Sequence, residues 1–237
     1  MPKERLDKLI SSQSMMSRSD ASRLIKGGCV KINGVTVKNT AEKVDGSADI
    51  IEINNQRFIY KKFIYIMMNK STGIVSASRD PKEKTVIDII PENLKRPNLF
   101  PAGRLDKDTT GFVLITDDGD FAHNILSPKH HIEKTYIATT DVLIENKYLD
   151  NIRNGMTSGE DTFMPAEIEL IENSIEPIYK IILHEGKYHE IRRMIGVSNA
   201  NLISLKRIKM GNLSLDKKLK PNECREITDE EKNMIYG

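Results

Sequence analysis

The chain has 237 residues, 38% of them hydrophobic and 30% charged, with 36 Lys+Arg against 34 Asp+Glu. This length excludes a miniature scaffold and suffices for one large domain or two ordinary ones, and the composition excludes a disordered polyelectrolyte. No apolar run approaches the roughly 18 residues that span a bilayer, and the start Met1-Pro2-Lys3-Glu4-Arg5 is too charged for a signal peptide, so a cytosolic protein is expected.

Leu6, Leu9 and Ile10 follow i, i+3, i+4 spacing, and Ala21, Leu24 and Ile25 repeat it, which predicts two short amphipathic helices. Ser17-Arg18-Ser19-Asp20 supplies the second with a hydroxyl cap and a carboxylate three residues later, and Gly27-Gly28 can stop it. Val30 and Ile32 then alternate with polar residues, Asn33-Gly34 suits the positive φ angles of a tight turn, and Val35 and Val37 resume the alternation, so a β-hairpin follows. Asp45-Gly46 makes a further turn before a strand at Ile51 and Ile53. The polar positions include Arg5, Lys8, Arg18, Arg23, Lys26 and Lys31, six potential phosphate contacts. Up to Lys62 there are 12 Lys+Arg against 7 Asp+Glu, and after it 24 against 27. A small basic module on a slightly acidic body suggests a part that holds a polyanion and a part that acts on it; the alternative is a merely solvated basic face.

The apolar run Phe63–Met68, followed by a turn over Asn69-Lys70 and Ser71-Thr72-Gly73, reads as a central strand opening a second domain. The expected domains are therefore 1–62 and 63–237. Strand patterns at Phe112–Thr116, Thr135–Thr139, Glu167–Ile171 and Ile178–Leu183, with helical patterns at Phe121–Leu126, Glu145–Arg153 and Tyr188–Ile195, predict an α+β body with a mixed, largely antiparallel sheet and flanking helices. Cys29 and Cys224 are isolated in sequence and read as buried small apolar residues; they are too few for a disulfide framework or a cysteine-based zinc site. His184 and His189 are five apart, where a zinc-binding helix needs four, and His123, His130 and His131 lack further ligands, so no metal site is expected.

In Gly103–Gly119 a polar loop closed by Gly111 runs into a buried-looking strand, with a second turn at Asp118-Gly119. Such a layout either presents Asp106 as a carboxylate on a rigid sheet or uses it to cap the loop. Tyr136 reads equally as a core tyrosine, and Arg192 and Arg193 as a solvated helix face.

Two ordered series of motifs resemble known families. Arg5-Leu6-Asp7-Lys8-Leu9, Ser17-Arg18-Ser19 and Gly28-Cys29-Val30-Lys31-Ile32-Asn33-Gly34 are similar to the RNA-binding domain first named for the S-four protein of the small ribosomal subunit. Gly103-Arg104-Leu105-Asp106 with Thr109 and Gly111, then Glu133-Lys134-Thr135-Tyr136, then Glu185–Met194, then Leu219-Lys220-Pro221-Asn222-Glu223 with Arg225, resemble the RsuA-like family of pseudouridine synthases. Ser127-Pro128-Lys129-His130-His131 and Lys187-Tyr188-His189 favour the small-subunit subgroup. The departures are Phe112 for Leu, Glu190 for Gln and Asn222 for Gly, of which Glu190 is expected to weaken a backbone contact to RNA.

The resemblance implies an RNA isomerase that cleaves the C1′–N1 bond of a uridine and rejoins C1′ to C5, with no metal or organic cofactor. It makes Asp106 the carboxylate at the sugar, attacking C1′ or removing the 2′ proton; Tyr136 the ring that stacks on the uracil; and Arg192 the cation that pairs with Asp106, with Arg193 as the substitute. Arg104, Lys134 and Arg193 join the six N-terminal basic residues as RNA contacts. The expected partner is ribosomal RNA, of the small subunit or its assembly intermediate, and the expected state a monomer. Rival readings are a large-subunit enzyme, a non-catalytic RNA-binding or ribosome-assembly protein, and a nucleotide hydrolase using Asp106 and Asp108.

Overall fold

A computed structural model describes residues 3–127, 130 and 132–236. The chain forms two compact units, residues 1–64 with 90–99, and 65–89 with 100–237. The division therefore falls after Ile64, and Ile90–Leu99 returns to the first unit. Within that unit buried Arg96 donates to Gln13 Oε1 (3.2 Å) and to the carbonyls of Lys61 and Lys62 (both 3.0 Å).

The first unit contains β1 (Glu4–Arg5), α1 (Leu6–Ser12), α2 (Arg18–Lys26), β2 (Val30–Ile32), β3 (Val35–Thr36), β4 (Lys43–Val44), β5 (Ile51–Ile53) and β6 (Gln56–Phe58). Leu6, Leu9 and Ile10 meet Ala21 and Ile25 in a core completed by Val30, Val44 and Ile51, so the two helical stripes cover each other and the hairpin. Ser17 Oγ accepts the Asp20 N–H as the helix cap. Asn33 and Gly34 take φ of 50° and 80° in the β2–β3 turn. A second Asn-rich turn, Asn54-Asn55 at φ 52° and 62°, adds β6, giving the order β3-β2-β5-β6; the reading of the sequence stopped at Ile53.

The second unit contains β7 (Tyr65–Lys70), β8 (Phe100–Ala102), β9 (Thr110–Thr116), α3 (Gly119–Leu126), β10 (Lys134–Thr140), α4 (Asn146–Asn154), β11 (Met156–Ser158), β12 (Asp161–Phe163), β13 (Glu167–Glu172), β14 (Ile178–Leu183), α5 (Glu190–Gly196), β15 (Leu202–Met210), β16 (Leu213–Ser214), β17 (Cys224–Glu226) and α6 (Asp229–Met234). Among the described residues nine strands form one sheet, in the order β13-β14-β10-β15-β9-β7-β17 with β8 and β16 attached to β9 and β15. Every pairing is antiparallel except β15 with β9, so the fold is the mixed, largely antiparallel α+β arrangement expected. Met67, Phe112 and Leu114 form its core with Phe121, Ile125 and Met210.

Three local expectations are corrected. The first strand is Tyr65–Lys70, so Asn69 and Lys70 lie inside it instead of in a turn; both are buried because their polar ends are satisfied, Asn69 Nδ2 by the Leu219 carbonyl at 2.8 Å. The helix expected from Tyr188 starts at Glu190, because His189 is left-handed at φ 51°. Cys29 and Cys224 are half-buried instead of fully buried.

The parallel contact is short, Lys206 with Thr110 and Arg207 with Gly111. Gly111 has φ 98°, and a Cβ on it would stand 2.2 Å from the Arg207 carbonyl oxygen. Gly111→Ala combines that clash with a disfavoured backbone and is expected to destabilise the fold by roughly 3 kcal/mol. A thermal melt checks this; an unchanged midpoint would mean that β9 and β15 separate there at no cost.

Candidate active site

Asp106 lies in the loop between β8 and β9, its side chain 29% exposed. One carboxylate oxygen is 3.3 Å from His189 Nε2, and the other 3.4 Å from Arg192 Nε. The second guanidinium contact goes to Asp108 Oδ1 at 2.7 Å, so Arg192 bridges two carboxylates instead of gripping both oxygens of Asp106. Arg192, not Arg193, reaches Asp106. Arg193 turns away, with Nη1 2.5 Å from Asp161, Nη2 on the Ser158 carbonyl and its guanidinium 4.9 Å from the centre of the Phe163 ring.

The loop is held from below by Lys70, which is fully buried. Its Nζ donates to the carbonyls of Asp106 (3.0 Å), Lys107 (3.1 Å) and Thr109 (2.7 Å), and lies 3.1 Å from that of Ser71. Four carbonyl dipoles converge on one ammonium, and this fixes the backbone that carries Asp106. Burial pushes the Lys70 pKa down to about 8, against the pull of the Asp108 and Asp106 charges.

Asp106 lines two cavities. The smaller, of about 480 Å³, is bounded by Thr72, Gly73, Asp108, His189 and Arg192. The larger, of about 850 Å³, includes Arg104, Lys134, Tyr136, Glu190 and Arg207. Tyr136 on β10 is 9% exposed and faces Arg207 of β15 in register. Lys134 is buried, and burial together with the Arg207 charge lowers its pKa. Arg104 is exposed on the cavity wall. Tyr188, 76% exposed, stacks on His189 with ring centres 3.8 Å apart.

Glu190 is 4% exposed, and its Oε2 accepts the Lys187 N–H at 2.8 Å. It is thus a buried partner of its own loop instead of the surface group expected beside RNA. Asn222 sits at φ 67°, where Asn is one of the few residues that tolerate a position otherwise suited to glycine. Of the Ser127–His131 motif, Pro128, Lys129 and His131 lie outside the described residues. Among the described residues no three His, Cys, Asp or Glu side chains are grouped to hold a metal ion, and no helix is long and apolar enough to cross a membrane.

On the first unit, Arg5 and Arg18 share the buried carboxylate of Asp7, at 2.8 and 3.2 Å. The hydrogen bonds from Arg5, ahead of those from Arg18, hold Asp7 down at about 2. Lys8 faces Glu4 at 3.5 Å and Arg23 faces Asp20 at 3.0 Å. Lys31 donates to Asn55 at 3.0 Å, and Lys26 is exposed.

The sequence missed Lys70, His189 and Arg207. Lys70 has one detectable signal, a cation ending an apolar strand run. Arg207 has another, a buried position in the alternation Leu205-Lys206-Arg207. The contact of His189 depends on a backbone conformation that no pattern announces.

The family model for RNA pseudouridylate synthase matches residues 64–196, and that for the S4 domain matches residues 4–50. An RNA pseudouridine synthase of Bacillus subtilis named YtzG, described as uncharacterized, is 38% identical over 98% of both chains. Ribosomal small subunit pseudouridine synthase A of Escherichia coli is 36% identical over 96% of this chain and 97% of its own. Ribosomal large subunit pseudouridine synthase B of Bacillus subtilis is 34% identical over 96% and 93%. A crystal structure of a pseudouridylate synthase superposes with TM-score 0.67 at 33% identity, covering 98% of this chain and 99% of the other. The chain belongs to the RNA pseudouridine synthase family and carries an S4 domain; it is an isomerase acting on RNA.

Proposed function

We propose that the enzyme converts one uridine of small-subunit ribosomal RNA to pseudouridine, with Asp106 as the carboxylate that acts at the ribose. The observation that carries this reading is the placement of Asp106, paired with Arg192 and His189, in the wall of the cavity that also holds Tyr136. Arg192 orients the carboxylate through Nε while Asp108 anchors its far end. Asp106 either bonds to C1′ or takes the 2′ proton; both routes free the uracil inside the cavity. Tyr136 offers a ring for the extruded base, and such stacking is worth about 1–3 kcal/mol against the few kcal/mol that extrusion costs. Arg104, exposed at the cavity wall, meets the RNA strand or fills the place of the flipped base.

The two named ribosomal relatives differ by only two points of identity, so the small-subunit reading rests on particular residues. Lys187-Tyr188-His189 supports it by its resemblance to the small-subunit subgroup, and His189 of that segment lies against Asp106. A ribosomal RNA substrate suits an enzyme of the cytosol, and we take it to act as a monomer. The first unit docks the RNA through α2 and the basic residues around it. Lys26→Ala is expected to weaken binding at every sequence alike and to reduce the slope of log K against log salt by about one; an unchanged slope removes Lys26 from the interface.

The test of the substrate is incubation with unmodified small- and large-subunit transcripts, followed by mapping of new pseudouridines. One site in the small-subunit transcript is expected. A site in the large-subunit transcript alone would keep the chemistry and overturn the subunit.

A further inference from the structure

Among the described residues, three buried side-chain polar atoms have no hydrogen-bond partner: Thr109 Oγ1, Glu190 Oε1 and Arg207 Nη2. All three residues line the 850 Å³ cavity. Buried polar groups are normally satisfied, and an orphaned one calls for an explanation such as a missing ligand. Arg207 is the strongest case. It is 3% exposed, its Nε is held by the Phe112 carbonyl at 2.8 Å, and its guanidinium lies against Gly103, three residues before Asp106. It is also the register partner of Tyr136, so its side chain shares the sheet face of the ring on which the base is proposed to stack. Lys134, two residues before Tyr136 on the same strand, brings a second buried cation to the same lining.

We propose that Arg207, with Lys134 beside it, takes up the negative charge of the departing uracil, Nη2 donating to a carbonyl oxygen of the base. The inference rests on the assignment of Asp106 made above. When the C1′–N1 bond breaks, both electrons stay on the base, which becomes an anion with its charge spread over N1, O2 and O4. C1′ is left bonded to an Asp106 oxygen, or doubly bonded to C2′ once Asp106 holds the 2′ proton. The base turns, its electron pair at C5 forms the bond to C1′, and the Asp106 bond breaks or the 2′ proton returns. The C5 proton then leaves and N1 gains one. Only between cleavage and rejoining does the base carry a full charge, so a cation placed there acts where charge develops.

The carboxylates nearby do not cancel this charge. Asp106 is committed to His189 and Arg192, and Glu185 to the Met164 N–H and Lys187. Burial, with the Glu185 carboxyl in hydrogen-bonding contact, raises Glu190 to about 7, so near neutral pH it carries only part of a charge.

The test uses single-turnover rates of the full-length protein on the transcript that the wild-type enzyme modifies, with uridine or 5-fluorouridine at the target. Arg207→Met is expected to slow uridine consumption on the order of 100-fold with RNA affinity unchanged, and Arg207→Lys to recover part of the loss. Fluorine withdraws charge and makes the base a better leaving anion, so the defect of Arg207→Met shrinks on 5-fluorouridine; a purely structural role slows both substrates equally. Should Arg207→Met fail to fold, Lys134→Met removes the other cation without touching the Phe112 carbonyl, and the same substrate dependence is expected. Full turnover by a folded Arg207→Met, or equal defects on both substrates, overturns the proposal. Turnover by Asp106→Asn would overturn the assignment of Asp106 instead, so the two failures are told apart.

Discussion

Asp106→Asn is expected to lower turnover on the order of 10⁴-fold or more while RNA affinity stays within about threefold. The substitution is nearly isosteric, and its amide oxygen can still meet Arg192 or His189. Arg192 also keeps its 2.7 Å contact with Asp108, so the guanidinium stays in place. An amide, however, neither bonds to C1′ nor accepts a proton from C2′ at neutral pH. On the proposed reading affinity is carried elsewhere, by the basic positions of the first unit and by the cavity walls. Rate and binding measured on the same preparation check this expectation, and turnover retained by the variant would remove Asp106 from the reaction.

Lys70→Met is expected to lose on the order of 3 kcal/mol of stability, because the buried Thr109 carbonyl loses its donor, which alone costs about 1–3 kcal/mol, while the less buried carbonyls around it can turn to water. Those other carbonyls belong to Asp106, Lys107 and Ser71, so the loop that carries Asp106 loosens first, and turnover is expected to fall even at temperatures where the variant is folded. The wild-type enzyme carries a pH signature of the same contact. With Lys70 at about 8 in the fold and 10.5 when free, the native state binds fewer protons than the unfolded chain between those values. Stability therefore rises with pH across that window as far as Lys70 is concerned. The neutral amine has only two N–H groups for the surrounding carbonyls, so turnover is expected to fall as pH passes about 8 while the melting temperature does not fall with it. A rate that is flat through that window would show that the ammonium is not what holds the loop.

Much of the fold was legible where one local interaction decides it. The stripe Leu6, Leu9, Ile10, the Ser17 cap and the Asn33-Gly34 turn each act within a few residues, and each occurs as read. The Gly103–Gly111 motif likewise points to Asp106 and, with Arg192, to a pair that the structure joins. What escaped reading depends on distant chain. β15, with nine residues the longest strand among the described residues, carries Lys206-Arg207 at its centre and looks polar, because the partner that makes a buried arginine tolerable, the Phe112 carbonyl, is on β9. Lys70 looked like part of a turn for the same reason: its carbonyl partners lie up to 39 positions away. Ile90–Leu99 belongs with the first unit through Arg96, whose acceptors are 34 to 83 positions earlier. Truncating the chain before residue 63 would therefore also expose Arg96, which makes single charge substitutions such as Lys26→Ala the cleaner probe of RNA docking.

The measurement that tests the account most directly is the fate of tritium and base when the enzyme meets transcripts labelled with [5-³H]uridine. Isomerisation at Asp106 requires that tritium pass to water in step with pseudouridine formation, that no free uracil be released, and that Asp106→Asn yield neither product. Free uracil accumulating in place of pseudouridine would make the enzyme a hydrolase, and tritium release by Asp106→Asn would place the reaction on another residue.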